Sequence, residues 1–107
     1  MIVEERNYTF AAADLPGFLE YYERVGVAIH SRILGHLIGY FTTEVGELNE
    51  VVHLWGFQNF EDRVVRRKAL WADPDWLAFA AKAAAPLRMR NRLLVPTRFS
   101  PIGGIGR

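Results

Sequence analysis

The 107-residue chain contains no cysteine. That removes disulfide scaffolds, thiolate nucleophiles, Cys-ligated zinc and iron–sulfur clusters together. It also lacks a surplus of either charge, since 13 Lys and Arg stand against 12 Asp and Glu for a formal +1. With no net field to attract phosphate backbones or anionic lipid, nucleic acid is not an expected partner. No stretch reaches the ~18 uninterrupted apolar residues of a membrane span. The opening Met1-Ile2-Val3-Glu4-Glu5-Arg6 places acids where a signal peptide needs a basic segment and then an apolar run. A cytoplasmic protein is the expectation. His30, His36 and His53 form neither a His-x3-His pair nor a Glu-x-x-His motif. No metal is expected, and no cofactor, with haem on a single histidine left as a minor alternative. Gly103, Gly104 and Gly106 are followed by neither a helix nor Lys-Ser/Thr, and no serine or threonine sits in an elbow, so phosphate loops and hydrolase triads are not indicated.

What is present is a chain half of whose residues are hydrophobic, enough for one domain-sized core. Residues 2–10 are rich in β-favouring types, and alternation puts Glu4, Arg6 and Tyr8 on one face and Val3, Glu5, Asn7 and Thr9 on the other. Asp14 then caps a helix with Pro16 in its first turn. Leu15, Phe18, Leu19, Tyr22, Gly26, Ile29 and Ile33 recur along it at helical spacing. Gly35 stops it, and His30 and His36 are expected in capping or surface roles near its end. A second strand spans about 37–43, a turn follows over 44–49, and a third strand holds Val51-Val52-His53-Leu54-Trp55-Gly56-Phe57. Asn59 caps the next helix, whose buried side is expected to carry Phe60, Val64 and Leu70 or Trp71. Asp73-Pro74 breaks that helix and restarts it, burying Trp76, Phe79, Ala80, Ala83 and Leu87, and a last strand is expected over about 89–99. Residues 1–101 form a single domain and 102–107 a loose tail.

The order β-α-β-β-α-β predicts an α+β, ferredoxin-like fold with strands one and three central in a four-stranded antiparallel sheet. Both helices then cover one face. The other face is expected to carry Val51, His53, Trp55 and Phe57 in the open, and exposed apolar surface of that extent predicts a homodimer closing two sheets face to face.

Several stretches together resemble the NIPSNAP family, whose small bacterial members form dimeric α/β barrels. They are Glu4-Glu5-Arg6-Asn7-Tyr8-Thr9, Leu37-Ile38-Gly39-Tyr40-Phe41-Thr42-Thr43-Glu44-Val45-Gly46 and Val51-Val52-His53-Leu54-Trp55. Arg66-Arg67, Leu70-Trp71-Ala72-Asp73-Pro74-Asp75-Trp76 and Pro96-Thr97-Arg98-Phe99-Ser100-Pro101 complete the set. Glu5 departs from the pattern, standing where the family is usually apolar. The resemblance implies a fold and a dimer, and leaves the biochemical role undefined.

His53 and Trp55 share one face of a strand with Cβ atoms roughly 6–7 Å apart at ~3.3 Å rise per residue. Strand one is their expected neighbour, so Glu4, Arg6 and Tyr8 join them as candidate ligand-binding residues. The leading expectation is a barrel pocket for a small, partly apolar or anionic ligand. One alternative is a cofactor-independent monooxygenase or isomerase with His53 as general base and Arg6 holding an anionic intermediate. Another makes Glu4–Arg6 a buried ion pair, His53 a satisfied core histidine and the sheet face a dimerisation surface alone. Arg63, Arg66, Arg67 and Lys68 read as a solvated helix face, and Arg88, Arg90 and Arg92 as charges guarding an edge strand.

Overall fold

A four-stranded antiparallel sheet in the order β2-β3-β1-β4 organises the molecule, seen in a computed structural model that describes residues 1–104. The elements run β1 (Ile2–Thr9), α1 (Leu15–Tyr21), a π turn (Tyr22–Gly26), α2 (Val27–Leu34), β2 (His36–Thr42), β3 (Glu50–Phe57), α3 (Phe60–Leu70), α4 (Pro74–Lys82) and β4 (Arg88–Leu94). This is the ferredoxin-like arrangement, with β1 and β3 central as the crossovers require. Among the described residues no helix is long and apolar enough to cross a membrane.

The local signals act where expected. Pro16 sits in the first turn of α1, and Gly35 ends α2 with φ of 94°, a conformation in which any other residue would strain. Asn59 accepts the Asp62 amide at the start of α3, and Asp73 accepts those of Asp75 and Trp76 at the start of α4.

The first helical stretch departs from its expected continuity. Phe18, Tyr22, Gly26, His30 and Leu34 are all buried at an unbroken spacing of four. In an α-helix each step of four residues overshoots a full turn by about 40°, so five such residues would drift off one face. The wider π turn at Tyr22–Gly26 absorbs that drift. The centre of the buried stripe thereby moves one residue along, from Ile29 and Ile33 to His30 and Leu34, and His30 is core rather than cap or surface.

Register gives a larger correction. Glu4 pairs with Trp55, Arg6 with His53 and Tyr8 with Val51, so these residues do share one face. That face lies beneath the helices, not open: Val51, Trp55 and Phe57 belong to the same core as Phe18, Leu34, Leu70, Trp76 and Phe79. The bulkier of β3's two alternating sets must go there, because the apolar sides of the helices have no other surface to cover. The opposite face carries the other set, with Val52 and Leu54 half-buried and Phe41 exposed, beside ion pairs Arg92–Glu5 and Arg90–Glu50.

Three further expectations shift. Phe60, Val64 and Trp71 are largely exposed while Leu70 is buried, because α3 turns its arginines toward β1. Leu87 is exposed beyond the end of α4. β4 ends at Leu94, ahead of Pro96, which cannot continue a strand ladder. Of the tail expected over 102–107, residues 102–104 form a turn in which the Gly104 amide donates to the Ser100 carbonyl, and 105–107 lie outside the described residues.

Candidate functional site

Between the sheet and the helices lies a cavity of about 210 Å³. Its walls include Tyr8 from β1, Tyr22 and His30 from the first helical stretch, Tyr40 from β2, His53 from β3 and Trp76 from α4. Each strand residue arrives by alternation, and Tyr22 and His30 arrive through the π turn. Gly26 lets the wall close up: a Cβ there would meet the Phe79 ring at 2.7 Å.

His53 is 1% exposed, stacks on Tyr40 at 4.5 Å and meets the edge of Tyr8 at 4.8 Å. The Trp55 indole Nε1 donates to its Nδ1 over 2.7 Å. An indole nitrogen can only donate, so Nδ1 is the unprotonated nitrogen and the neutral ring carries its proton on Nε2. Among the described residues that Nε2 finds no partner, and neither does the buried indole Nε1 of Trp76. Two cavity-wall residues thus hold buried N–H donors left unsatisfied among the described residues, at a cost of about 1–3 kcal/mol each.

His30, His53, Tyr22 and Tyr40 are neutral at pH 7. Burial, and then the charge of Arg6, press His53 down to about 3; burial and the neighbouring His53 press His30 down to about 2. Burial pushes the Tyr22 and Tyr40 phenols up, so both stay protonated. Tyr22 Oη lies 2.8 Å from His30 Nδ1, which fixes that ring in turn.

Behind this wall sits a charged cluster. Glu4, 1% exposed, accepts from Arg6 at 2.8 Å, from Arg63 at 2.8 and 3.1 Å and from Asn91 at 2.7 Å. Burial alone would raise the Glu4 carboxyl, but the hydrogen bonds from Arg63 and Asn91 and the charges of Arg6 and Arg63 hold it down at about 2. Arg6 also donates from Nε to the Tyr8 hydroxyl at 2.8 Å, leaving the phenolic proton free to donate elsewhere.

Of the five residues singled out in the sequence, Tyr8 and His53 line the cavity, Trp55 sets the tautomer of His53, and Glu4 and Arg6 form the ion pair behind it. Tyr22, His30, Tyr40, Trp76, Arg63 and Asn91 are not singled out as site residues in the sequence, where Tyr22 and Trp76 read only as core and Arg63 as a solvated helix face. The spacing-of-four stripe is the signal that would have found Tyr22 and His30; nothing local marks Asn91. Among the described residues no three of His, Asp and Glu converge as a metal site would need.

Comparison with known proteins agrees with this architecture. The NIPSNAP family model matches residues 3–101. A NIPSNAP family protein from Agrobacterium tumefaciens superposes with a TM-score of 0.91 at 41% identity, covering 94% of this chain and 97% of that one. An uncharacterized NIPSNAP-like domain protein from Burkholderia xenovorans gives 0.89 at 46% identity, covering 94% and 88%. Among curated relatives, the Dictyostelium discoideum NipSnap homolog is 37% identical over 62 residues, which is 57% of this chain and 28% of that protein. The chain thus spans between 12% and 35% of the length of the curated relatives it matches. An antibiotic biosynthesis monooxygenase has the same fold, with a TM-score of 0.63 at 9% identity over 91% of this chain and 99% of that one, a likeness of fold alone. With the family pattern matched from residue 3 to 101 and the fold shared by relatives above 40% identity, the chain belongs to the NIPSNAP family.

Proposed function

We propose that the cavity beneath the helices binds a small, planar, largely apolar molecule bearing a carbonyl-type oxygen. The observation that carries this is the pair of unsatisfied donors, His53 Nε2–H and Trp76 Nε1–H, on residues that border one aromatic-walled cavity. An acceptor oxygen on a ligand supplies what these groups lack, and the tyrosine and tryptophan rings supply its apolar contacts. A role for His53 as general base suits the geometry less well, because its unprotonated nitrogen is already taken by Trp55. The same bond leaves it no lone pair for haem iron. Calorimetric titration with 2-naphthamide and with naphthalene tests the reading. The amide should bind more tightly, and Trp76→Phe should weaken the amide while leaving naphthalene unchanged. Equal affinities, or no binding of either, would refute it.

A second reading concerns assembly. The sheet face away from the helices exposes Phe41 beside half-buried Val52 and Leu54, which favours a homodimer closed over that face, outside the cavity. Light scattering coupled to size exclusion should give twice the chain mass; a monomer at micromolar concentration removes the dimer and leaves the cavity reading standing.

A further inference from the structure

Arginine is concentrated where β1 and α3 run side by side. β1 is antiparallel to β3, and α3 doubles back on β3, so α3 follows β1 in the same direction. Contacts fix both ends of this alignment. At one end Arg63 is bonded to Glu4; at the other, Trp71 and Tyr8 both border the cavity. Between Glu4 and Tyr8 on their shared strand face stands Arg6. Between Arg63 and Trp71, four residues from each and so on the same side of the helix, stands Arg67.

Arg6 and Arg67 therefore face one another just behind the cavity wall. Arg63 and Arg6 are bonded to the Glu4 carboxylate. Arg67 is half-buried, and among the described residues its guanidinium has no hydrogen bond and no ion pair, whereas neighbouring Arg66 pairs with Asp62 and the Ile33 carbonyl. Two guanidiniums thus bond to the one carboxylate, and the third, Arg67, feels its charge without pairing with it. Burial, followed by the charge of Arg6, lowers the Arg67 pKa, the direction expected of a cation held beside another without its own counter-ion. A half-buried arginine in this position is costly to the free protein, and an anion is the group that relieves it.

We propose that Arg67, with Arg6, forms an anion subsite for a ligand carboxylate whose apolar body occupies the cavity beside Tyr8 and Trp71. This rests on the cavity reading above and narrows its ligand to an aromatic or similarly apolar monocarboxylate. The subsite assigns a role to a residue that in sequence belongs to a basic run on a helix surface.

The test compares 2-naphthoate with 2-naphthamide, which have nearly the same shape and differ in charge, by titration calorimetry on the wild-type chain and on Arg67→Met. A charge-assisted contact predicts naphthoate binding about tenfold tighter than the amide to the wild type. In Arg67→Met that preference should vanish while amide affinity stays unchanged, which also shows the variant to be folded with its cavity intact. Added sodium chloride should weaken naphthoate and spare the amide. If the amide binds but naphthoate has no advantage, or keeps it in Arg67→Met, the anion subsite is overturned and the cavity reading survives. If neither probe binds, both fall.

Discussion

Two histidines buried as neutral rings make the stability of this protein depend on pH in a window where few other groups titrate. In the unfolded chain His30 and His53 take up protons below about 6.5, while in the fold burial holds them down to about 2 and about 3. Between those limits the unfolded state binds more protons than the native one, so stability falls as pH falls. Each histidine contributes a slope of about 1.4 kcal/mol per pH unit. From neutral pH to pH 5 that amounts to about 2 kcal/mol per ring and about 4 kcal/mol for both, a large share of the 5–15 kcal/mol typical of a domain. The carboxylate cluster does not confuse this window. Glu4, held down at about 2 from 4.5, contributes stability that is fully present above pH 4.5 and is lost only as pH falls toward 2. Urea unfolding followed by tryptophan fluorescence, at fixed protein concentration and at several values between pH 7.5 and 5, reads the slope directly. His53→Gln, whose side-chain carbonyl still accepts from Trp55, should halve it. A stability flat from pH 7.5 to 5, or a slope unchanged in His53→Gln, would refute the claim that these rings are buried uncharged.

Glu4→Gln should be among the most damaging single changes, costing about 3–5 kcal/mol, because it leaves Arg6 and Arg63 without their counter-charge; the shift in urea midpoint checks it. Gly26→Ala should destabilise by about 1–3 kcal/mol despite alanine's better helix propensity, since the new methyl meets the Phe79 ring at 2.7 Å and Tyr22 at 2.8 Å. A stabilised Gly26→Ala in thermal melts would mean that the wall relaxes freely. Trp55→Phe removes the donor that holds the His53 tautomer, and nitrogen NMR should then show a mixture of Nδ1–H and Nε2–H forms in place of Nε2–H alone.

The backbone plan was legible because its signals are local and strong. Pro16, Gly35, Asn59 and Asp73-Pro74 each bound an element by chemistry that needs no partner, and strand order follows from handedness once the elements are in sequence. The side-chain register of the first helical stretch was not legible by ordinary helical periodicity. That template favours Ile29 and Ile33, whereas the chain places its buried residues at steps of four and accommodates them with a π turn. Which sheet face the helices cover could not come from β3 alone, since both of its alternating sets include apolar residues. It is settled by how much surface Phe18, Leu34, Leu70 and Phe79 must bury, a property of the assembled layers.

That reversal of faces changes the chemistry of His53 more than its address. On an open sheet the ring would be solvated, free in either tautomer and able to titrate near neutrality, which are the attributes of a general base. Beneath the helices it loses water, is pinned by an indole that can only donate, and sits across the strand from a guanidinium that opposes its protonation. All three effects act in one direction: they keep the imidazole neutral and oblige it to present a hydrogen rather than a lone pair. The spacing of His53 and Trp55 on one strand face, two residues apart, is what sets this polarity. The proposed acceptor in the ligand rests on that N–H, and the proposed anionic end on the Arg67 guanidinium, which has no partner among the described residues. His53 is paired across β1–β3 with Arg6, and Arg67 lies on the helix that follows β1, so the two readings call for one molecule that carries both features.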